Sequence, residues 1–253
     1  MDAIGIIPAR YGATRFEGKL LADLCGKPVI QHTWENARKA RSIEDLIIAT
    51  DDKRIYDCAK GFGAKVIYTS KAHRSGSDRL TEVVSSLDTK VVVNIQADEP
   101  LVHPTMINDI VAPILRSKSI HMATICHKIK TEQEFLNPHA VKVVMDRKGF
   151  ALYFSRAPIP FKSQAADHEQ PSIRYKHIGI YAYTKDFLFT FKSLPQSDLE
   201  KIENLEQLRV IENGYKIKVV ETKFETVGID TEEDLQKAVE LIKGKREDKF
   251  SYA

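Results

Sequence analysis

Apolar positions fall along the first half of the chain in two alternating rhythms. Short runs near 3–7 (AIGII), 46–50 (LIIAT), 65–68 (KVIY), 91–96 (VVVNIQ) and 121–126 (HMATIC) predict strands. Between them, VIQHTWENARKA (29–40), DKRIYDCAKGFG (52–63) and DRLTEVVSSL (78–87) place apolar residues three or four apart, the spacing of one helical face. Strand and helix in alternation predict an α/β fold, a mostly parallel, Rossmann-like sheet flanked by helices, with ligand loops at the carboxyl ends of the strands. Beyond residue 138 the rhythm changes. AVKVVMD (140–146), FALYFSR (150–156) and HIGIYAYT (177–184), with the polar loop SQAADHEQPS (163–172) between the latter two, predict a strand-rich inserted lobe over 138–184. Helical spacing returns over 185–193 and 198–213, and a strand is expected at 216–222. A final helix opens at DTEEDL, where Asp230 and Glu233 have the spacing of a capping box.

A length of 253 residues suits a single domain over 1–253, with the lobe as part of it. The hydrophobic share of 43% and charged share of 29% are those of a soluble globular chain, and a net charge of +3 gives no nucleic-acid surface. The most basic stretch, KGKREDK (243–249), is broken by acids. No window approaches the about 18 apolar residues of a membrane span, and the N-terminus lacks the basic region of a signal peptide, so a cytoplasmic location is expected. Cys25, Cys58 and Cys126 are scattered, form no CxxC pair, and are expected to be buried thiols rather than a disulfide framework or a zinc site.

Candidate chemistry concentrates where the predicted strands end. GIIPARYGATRFEGK (5–19) follows its strand with Arg10, Arg15 and Lys19, spaced by Gly12 and Gly18. Glycines let backbone N–H groups turn toward an anion while fixed cations neutralise it, a combination suited to a triphosphate; an ordinary loop with solvated charges has the same composition. VVVNIQADEP (91–100) delivers Gln96, Asp98 and Glu99 to the tip of an apolar strand on the same side of a parallel sheet. A hard divalent ion is the natural bridge between such acids and a polyphosphate, because Mg²⁺ takes one or two protein carboxylates and completes its shell with phosphate and water. Asp230 in GIDTEEDL (228–235) offers a second carboxylate, or a helix N-cap, or both. KAHRSGSDRL (71–80) mixes Arg74 and Arg79 with Gly76 and small polar residues; it suits closure over a base and ribose, or an unremarkable helix start.

Taken together and in order, IIPARYGATRFEGK, ATDD (49–52), HRSGSDRL, VNIQADEP, NPHAVKVVMD (137–146), ALYFSRAPIP, KHIGIYAY, ENLEQLRV and GIDTEEDL resemble the bacterial cytidylyltransferases that activate 3-deoxy-D-manno-octulosonate (Kdo) as its CMP sugar for lipopolysaccharide biosynthesis. The resemblance covers nearly the whole chain. It implies a nucleotidyltransferase that takes CTP, Kdo and Mg²⁺ and forms a homodimer. It implies that Arg10, Arg15 and Lys19 hold the CTP phosphates, that Arg74, Ser75 and Gly76 lie near the nucleotide, and that Asp98 and Asp230 hold the metal. Arg10, Lys19, Asp98 and Asp230 are thereby the expected catalytic residues. Gln96, Arg156, His177, Tyr181, Glu206 and Gln207 are implied to line the sugar pocket, Arg156 facing the sugar carboxylate. Those residue types suit a carboxylated, hydroxyl-rich ligand, and each also has a plainer place on a surface, strand or helix. An 8-amino Kdo or another acidic keto sugar, or a nucleotide-binding module without chemistry, are the alternatives. The chain departs from the family at Glu17 and Leu20, where prolines are usual, and at Ala97, where glycine is usual.

Overall fold

The structure, a computed structural model, describes residues 1–12, 15–73, 76–161 and 174–250, with side chains described as far as residue 244. Its Cα positions separate into two units, one of residues 1–108 and 225–253, the other of residues 109–224.

In the first unit, the run AIGII becomes β1 (Ala3–Ala9), with Ala3, Ile4, Ile6, Ile7 and Ala9 all fully buried. Burial of consecutive side chains means that both faces of the strand are covered, as in a parallel sheet sandwiched by helices. Gly5 interrupts the run because the neighbours press in: a Cβ there would lie 2.7 Å from Leu46 Cδ1 and 3.0 Å from Ile43 Cδ1. A short 3-10 turn (Lys19–Leu21), the small hairpin β2 (Asp23–Leu24) and β3 (Lys27–Pro28), and α1 (Val29–Ala37) follow. Next come β4 (Asp45–Thr50), α2 (Lys53–Gly61), β5 (Lys65–Tyr68), α3 (Gly76–Ser85), β6 (Val91–Asn94) and α4 (Pro104–Arg116). β1 pairs in parallel with β4 on one side and β6 on the other, and β4 pairs in parallel with β5. The expected α/β architecture is therefore present, with each helix close to where its apolar spacing puts it.

The second unit contains β7 (Met122–Lys128), α5 (Glu132–Leu136), β8 (Lys142–Met145), β9 (Ala151–Ser155), β10 (Tyr175–Thr184), α6 (Lys185–Ser193), α7 (Asp198–Glu203), α8 (Leu208–Glu212) and β11 (Lys218–Thr222). β10 runs antiparallel to β7 and β8, β9 antiparallel to β8, and β11 parallel to β7. The register of β10 on β7 slips between Ile178 and Tyr181, a bulge that sets Tyr181 opposite Thr124. The single helix expected over 198–213 is instead two. Asn204, in the left-handed region at φ 52°, closes α7, and the chain restarts at Gln207 as the N-cap of α8. Asparagine tolerates that conformation better than most residues, and the buried Leu205, Leu208 and Val210 sustain the apolar spacing through the break. The final helix, α9 (Glu232–Phe250), returns the chain to the first unit.

Among the described residues no helix is long and apolar enough to cross a membrane. The three thiols are unbridged, and only Cys126 is buried; against expectation Cys25, in the turn between β2 and β3, and Cys58, on α2, are half-buried.

Candidate active site

The chain leaves β1 for β4 on one side and crosses back from β5 to β6 on the other side of β1, an order that opens a crevice at the carboxyl ends of β1 and β6. The loop after β1 carries Arg10, Arg15 and Lys19, and the loop after β6 carries Gln96, Asp98 and Glu99. The β1 loop is held in shape by its own residues. Gly18 takes φ 71° and donates its N–H to the Tyr11 carbonyl at 3.1 Å, and a Cβ there would come within 2.9 Å of the Tyr11 hydroxyl, so only glycine fits without strain. The Arg54 guanidinium stacks 3.2 Å from the centre of the Tyr11 ring and pairs with Asp52 at 2.7 Å. Phe16 packs on a small core of Leu24, Val29, Ile229 and Ala238, which joins this loop to the start of the last helix.

That shared core explains how a residue more than two hundred positions away reaches the loop. The N–H of Ile229 donates to the carbonyl of Asp98 at 2.9 Å. At Gly228 a Cβ would stand 3.1 Å from Glu99 Oε1, so the absence of a side chain lets the two segments lie together. Lys19 Nζ then donates to Asp98 Oδ2 at 2.5 Å and to Asp230 Oδ1 at 2.8 Å, while Arg15 Nη2 reaches Asp230 Oδ2 at 2.8 Å. Burial alone would lower the pKa of Lys19, but the carboxylates of Asp98 and Asp230 outweigh it and the net shift is upward. The ammonium is thus kept charged across the neutral range.

The capping box expected at Asp230 and Glu233 lies one residue further along. Thr231 Oγ1 accepts from the N–H of Asp234 at 3.2 Å, and Asp234 Oδ2 accepts from the N–H of Thr231 at 3.1 Å. Two overlapping box patterns occur in DTEED, and the threonine takes the cap. The carboxylate of Asp230 is left to face Arg15 and Lys19.

Other expected residues of this unit are placed as follows. Arg10 Nη2 donates to the carbonyl of His73 at 3.3 Å, which brings the start of the 71–80 segment beside the β1 loop. Gly76 opens α3, where a Cβ would make only ordinary contact with Pro8 at 3.5 Å. Arg74 and Ser75 lie outside the described residues, as does the loop 163–172. Gln96 is half-buried. Ala97 has no left-handed backbone, so the departure from glycine carries no strain there, and its carbonyl accepts from Thr33 Oγ1 at 2.9 Å. Glu17 is exposed and helps to raise the Arg54 pKa after the larger effect of Asp52; Leu20 is buried.

In the second unit, His177 and Tyr181 stand on β10 with ring centres 5.3 Å apart. Burial pushes the His177 imidazole down to about 3, and burial followed by the Glu206 carboxylate pushes the Tyr181 phenol up, so at neutral pH the one is uncharged and the other protonated. Gln207 is 5% exposed, and its Nε2 has no hydrogen-bond partner among the described residues. Leaving a buried donor unmet costs about 1–3 kcal/mol, a cost that a polar ligand would relieve. Arg156 is more occupied than its expected role suggests. Its Nε donates to the Glu203 carbonyl at 2.8 Å, Nη1 to Pro138 at 3.1 Å and Nη2 to Asn204 at 3.4 Å, leaving one N–H on each terminal nitrogen for a ligand.

The family model described as Cytidylyltransferase matches residues 4–217. The chain belongs to the cytidylyltransferase family. It is 47% identical over 250 residues to the 3-deoxy-manno-octulosonate cytidylyltransferase of Geotalea uraniireducens, covering 96% of this chain and 100% of that one. The enzyme of that name from Geobacter sulfurreducens is 46% identical over 250 residues, with the same coverage. A solved CMP:2-keto-3-deoxy-manno-octonic acid synthetase complexed with CTP superposes with a TM-score of 0.89 at 39% identity, over 97% of this chain and 100% of that one. This cytidylyltransferase is accordingly a nucleotidyltransferase enzyme with a mixed α/β fold.

Its acidic pair suits magnesium. Asp98 and Asp230 are hard oxygen donors already drawn to one cationic group, and two carboxylates are what Mg²⁺ takes from a protein when phosphates supply the rest.

Several organising residues escape sequence reasoning. Lys142, fully buried, donates to the Asn137 carbonyl at 2.9 Å and to the Arg156 carbonyl at 2.6 Å. Glu203 accepts from Ser155 Oγ at 2.5 Å and from the Arg156 N–H at 2.8 Å. Glu200 and Arg209 pair at 2.5 Å across the break between α7 and α8. A lysine within the alternating apolar run AVKVVMD is the one signal that pointed inward; the glutamates have none.

Proposed function

We propose that this cytidylyltransferase transfers CMP from CTP to Kdo and releases pyrophosphate, with Mg²⁺ held by Asp98 and Asp230. The observation that carries the reading is the meeting of Lys19 with both carboxylates, and of Arg15 with Asp230, beside the β1–β6 crevice. The choice of CTP and Kdo draws on the names of its relatives and on the CTP complex of the solved synthetase.

In this scheme the anomeric hydroxyl of the sugar attacks the α-phosphorus in line and loses its proton to water, an O–P bond forms, and the bond from the α-phosphorus to the bridging oxygen breaks, the electron pair leaving with pyrophosphate. Arg10, Arg15 and Lys19 neutralise the triphosphate and the charge that builds on the departing pyrophosphate. Fixed by Tyr11, Gly18 and Phe16, these cations need little reorganisation as the charge moves. Magnesium, when bound, supplies Lewis-acid polarisation of phosphate oxygens and a lowered pKa for the attacking hydroxyl. Of the groups suited to the sugar, the second unit carries Arg156 for its carboxylate and neutral His177, protonated Tyr181, Glu206 and Gln207 for its hydroxyls, and the first unit carries Gln96.

A pyrophosphate-release screen of four nucleoside triphosphates against Kdo and its 8-amino analogue tests this. Release is expected with CTP and Kdo. Turnover of the amino sugar alone would replace the acceptor, and no release from CTP with either sugar would remove the transfer reading.

The same reading includes a homodimer through the 138–184 stretch, on which Leu152 and Phe161 are exposed. A monomeric mass in solution at micromolar concentration would remove it.

A further inference from the structure

The bulge in β10 leaves carbonyl groups that a regular ladder would have paired, and one side chain of β7 answers them. Thr124, fully buried, has its Oγ1 2.8 Å from the carbonyl of Ile180 and 3.3 Å from that of Ile178. The same oxygen lies 2.9 Å from His177 Nε2. A hydroxyl has one proton to give, and a carbonyl oxygen can only accept. The Thr124 proton is therefore committed to the bulge, the Ile180 carbonyl being the closer acceptor. The contact with His177 then requires that the imidazole be the donor, with its proton on Nε2. Among the described residues Nδ1 has no hydrogen-bond partner, so the ring is left with a lone pair as its one open polar site. Phe154 meets the imidazole edge to face at 4.9 Å between ring centres and fixes its plane.

We propose that Thr124 is a positioning residue that holds His177 as the neutral Nε2–H tautomer, so that Nδ1 is presented as an acceptor to a hydroxyl of the bound sugar. The proposal rests on the reading that His177 serves the sugar. It gives that residue a direction: it takes a hydrogen bond from a hydroxyl and repels a carboxylate, which leaves the acid group of the substrate to Arg156. Burial, which keeps the imidazole uncharged, supports the same assignment.

Long-range ¹H–¹⁵N correlation spectra of histidine-labelled protein, with the His177 signals assigned by loss in His177→Gln, read the tautomer directly and without turnover. Wild-type protein at neutral pH is expected to show the Nε2–H pattern. In Thr124→Val, close in volume but without the hydroxyl, the Nε2–H loses its acceptor, and the Nδ1–H form is expected to become populated. Thr124→Ser restores the hydroxyl and is expected to restore the wild-type pattern. In pyrophosphate release, Thr124→Val should raise the KM for Kdo by about tenfold, the scale of one neutral hydrogen bond, with Thr124→Ser close to wild type. Its kcat and its KM for CTP should stay within about twofold of wild type. A wild-type ring that shows the Nδ1–H pattern or titrates as an imidazolium near neutrality overturns the tautomer assignment, whatever the variants do. A tautomer that shifts in Thr124→Val while the KM for Kdo stays put overturns the link to the sugar. Failure of Kdo as a substrate for wild-type protein strikes the functional reading, and the spectra still decide the role of Thr124.

Discussion

Replacing Asp98 with asparagine is expected to lower kcat/KM for CTP by about a thousandfold, ~4 kcal/mol of transition-state stabilisation, on the scale of one electrostatic contact to the reacting centre. Asparagine keeps the shape and one oxygen of aspartate but removes the charge that both a divalent ion and Lys19 answer. The local frame should survive the change. Ile229 is bonded to the backbone carbonyl of Asp98, and Phe16 holds the β1 loop against Ile229 through apolar contact, so Asp230 and Lys19 keep their places. A melting temperature near that of wild type, measured beside the rate of pyrophosphate release, would assign the loss to charge rather than to misfolding. Turnover within about threefold of wild type at ordinary Mg²⁺ would remove Asp98 from the reaction.

How far the site was legible follows from which forces hold it. The runs AIGII and VVVNIQ identify β1 and β6 because both faces of a parallel strand are buried, and loops at their ends acquire functional residues by topology. Cations after β1 and acids after β6 were thus readable as one site. The approach of Asp230 was not written in any spacing. It depends on a core shared by Phe16 and Ile229 and on a single backbone hydrogen bond, and the overlapping boxes in DTEED hid which residue would cap the helix. The break at Asn204 was invisible for a related reason, since apolar residues continue at helical spacing through it. Arg156 was recognisable as a residue type for a carboxylate, but its three bonds to backbone carbonyls belong to loop geometry that periodicity does not encode. Positions fixed by the sheet could be read from the chain; orientations fixed by side-chain and backbone hydrogen bonds could not.

Lys19→Met should be nearly as costly to catalysis as the loss of Asp98, and should also change the protein in the absence of nucleotide. The ammonium of Lys19 is mostly buried and lies between two carboxylates, at 2.5 Å from one and 2.8 Å from the other. Removing it withdraws a cation from the triphosphate, for which a fall in kcat of about a hundredfold or more is expected. It also removes the cation that bridges Asp98 and Asp230, so two like charges face each other with less compensation, Arg15 still pairing with Asp230. Nucleotide-free Lys19→Met is therefore expected to melt below wild type at low ionic strength, and to bind Mn²⁺ more tightly in a titration without CTP, because the ion no longer competes with the ammonium for the same oxygens. The pH dependence has a definite sign. The folded pKa of Lys19 lies above the ordinary 10.5, so its ion pairs stabilise the fold below that value and fade as pH rises through the folded pKa. The alkaline loss of stability should accordingly be shallower in Lys19→Met than in wild type. Equal Mn²⁺ affinity in the two proteins would show that Lys19 does not share those carboxylates with a metal, and unchanged turnover would take it out of the phosphate site.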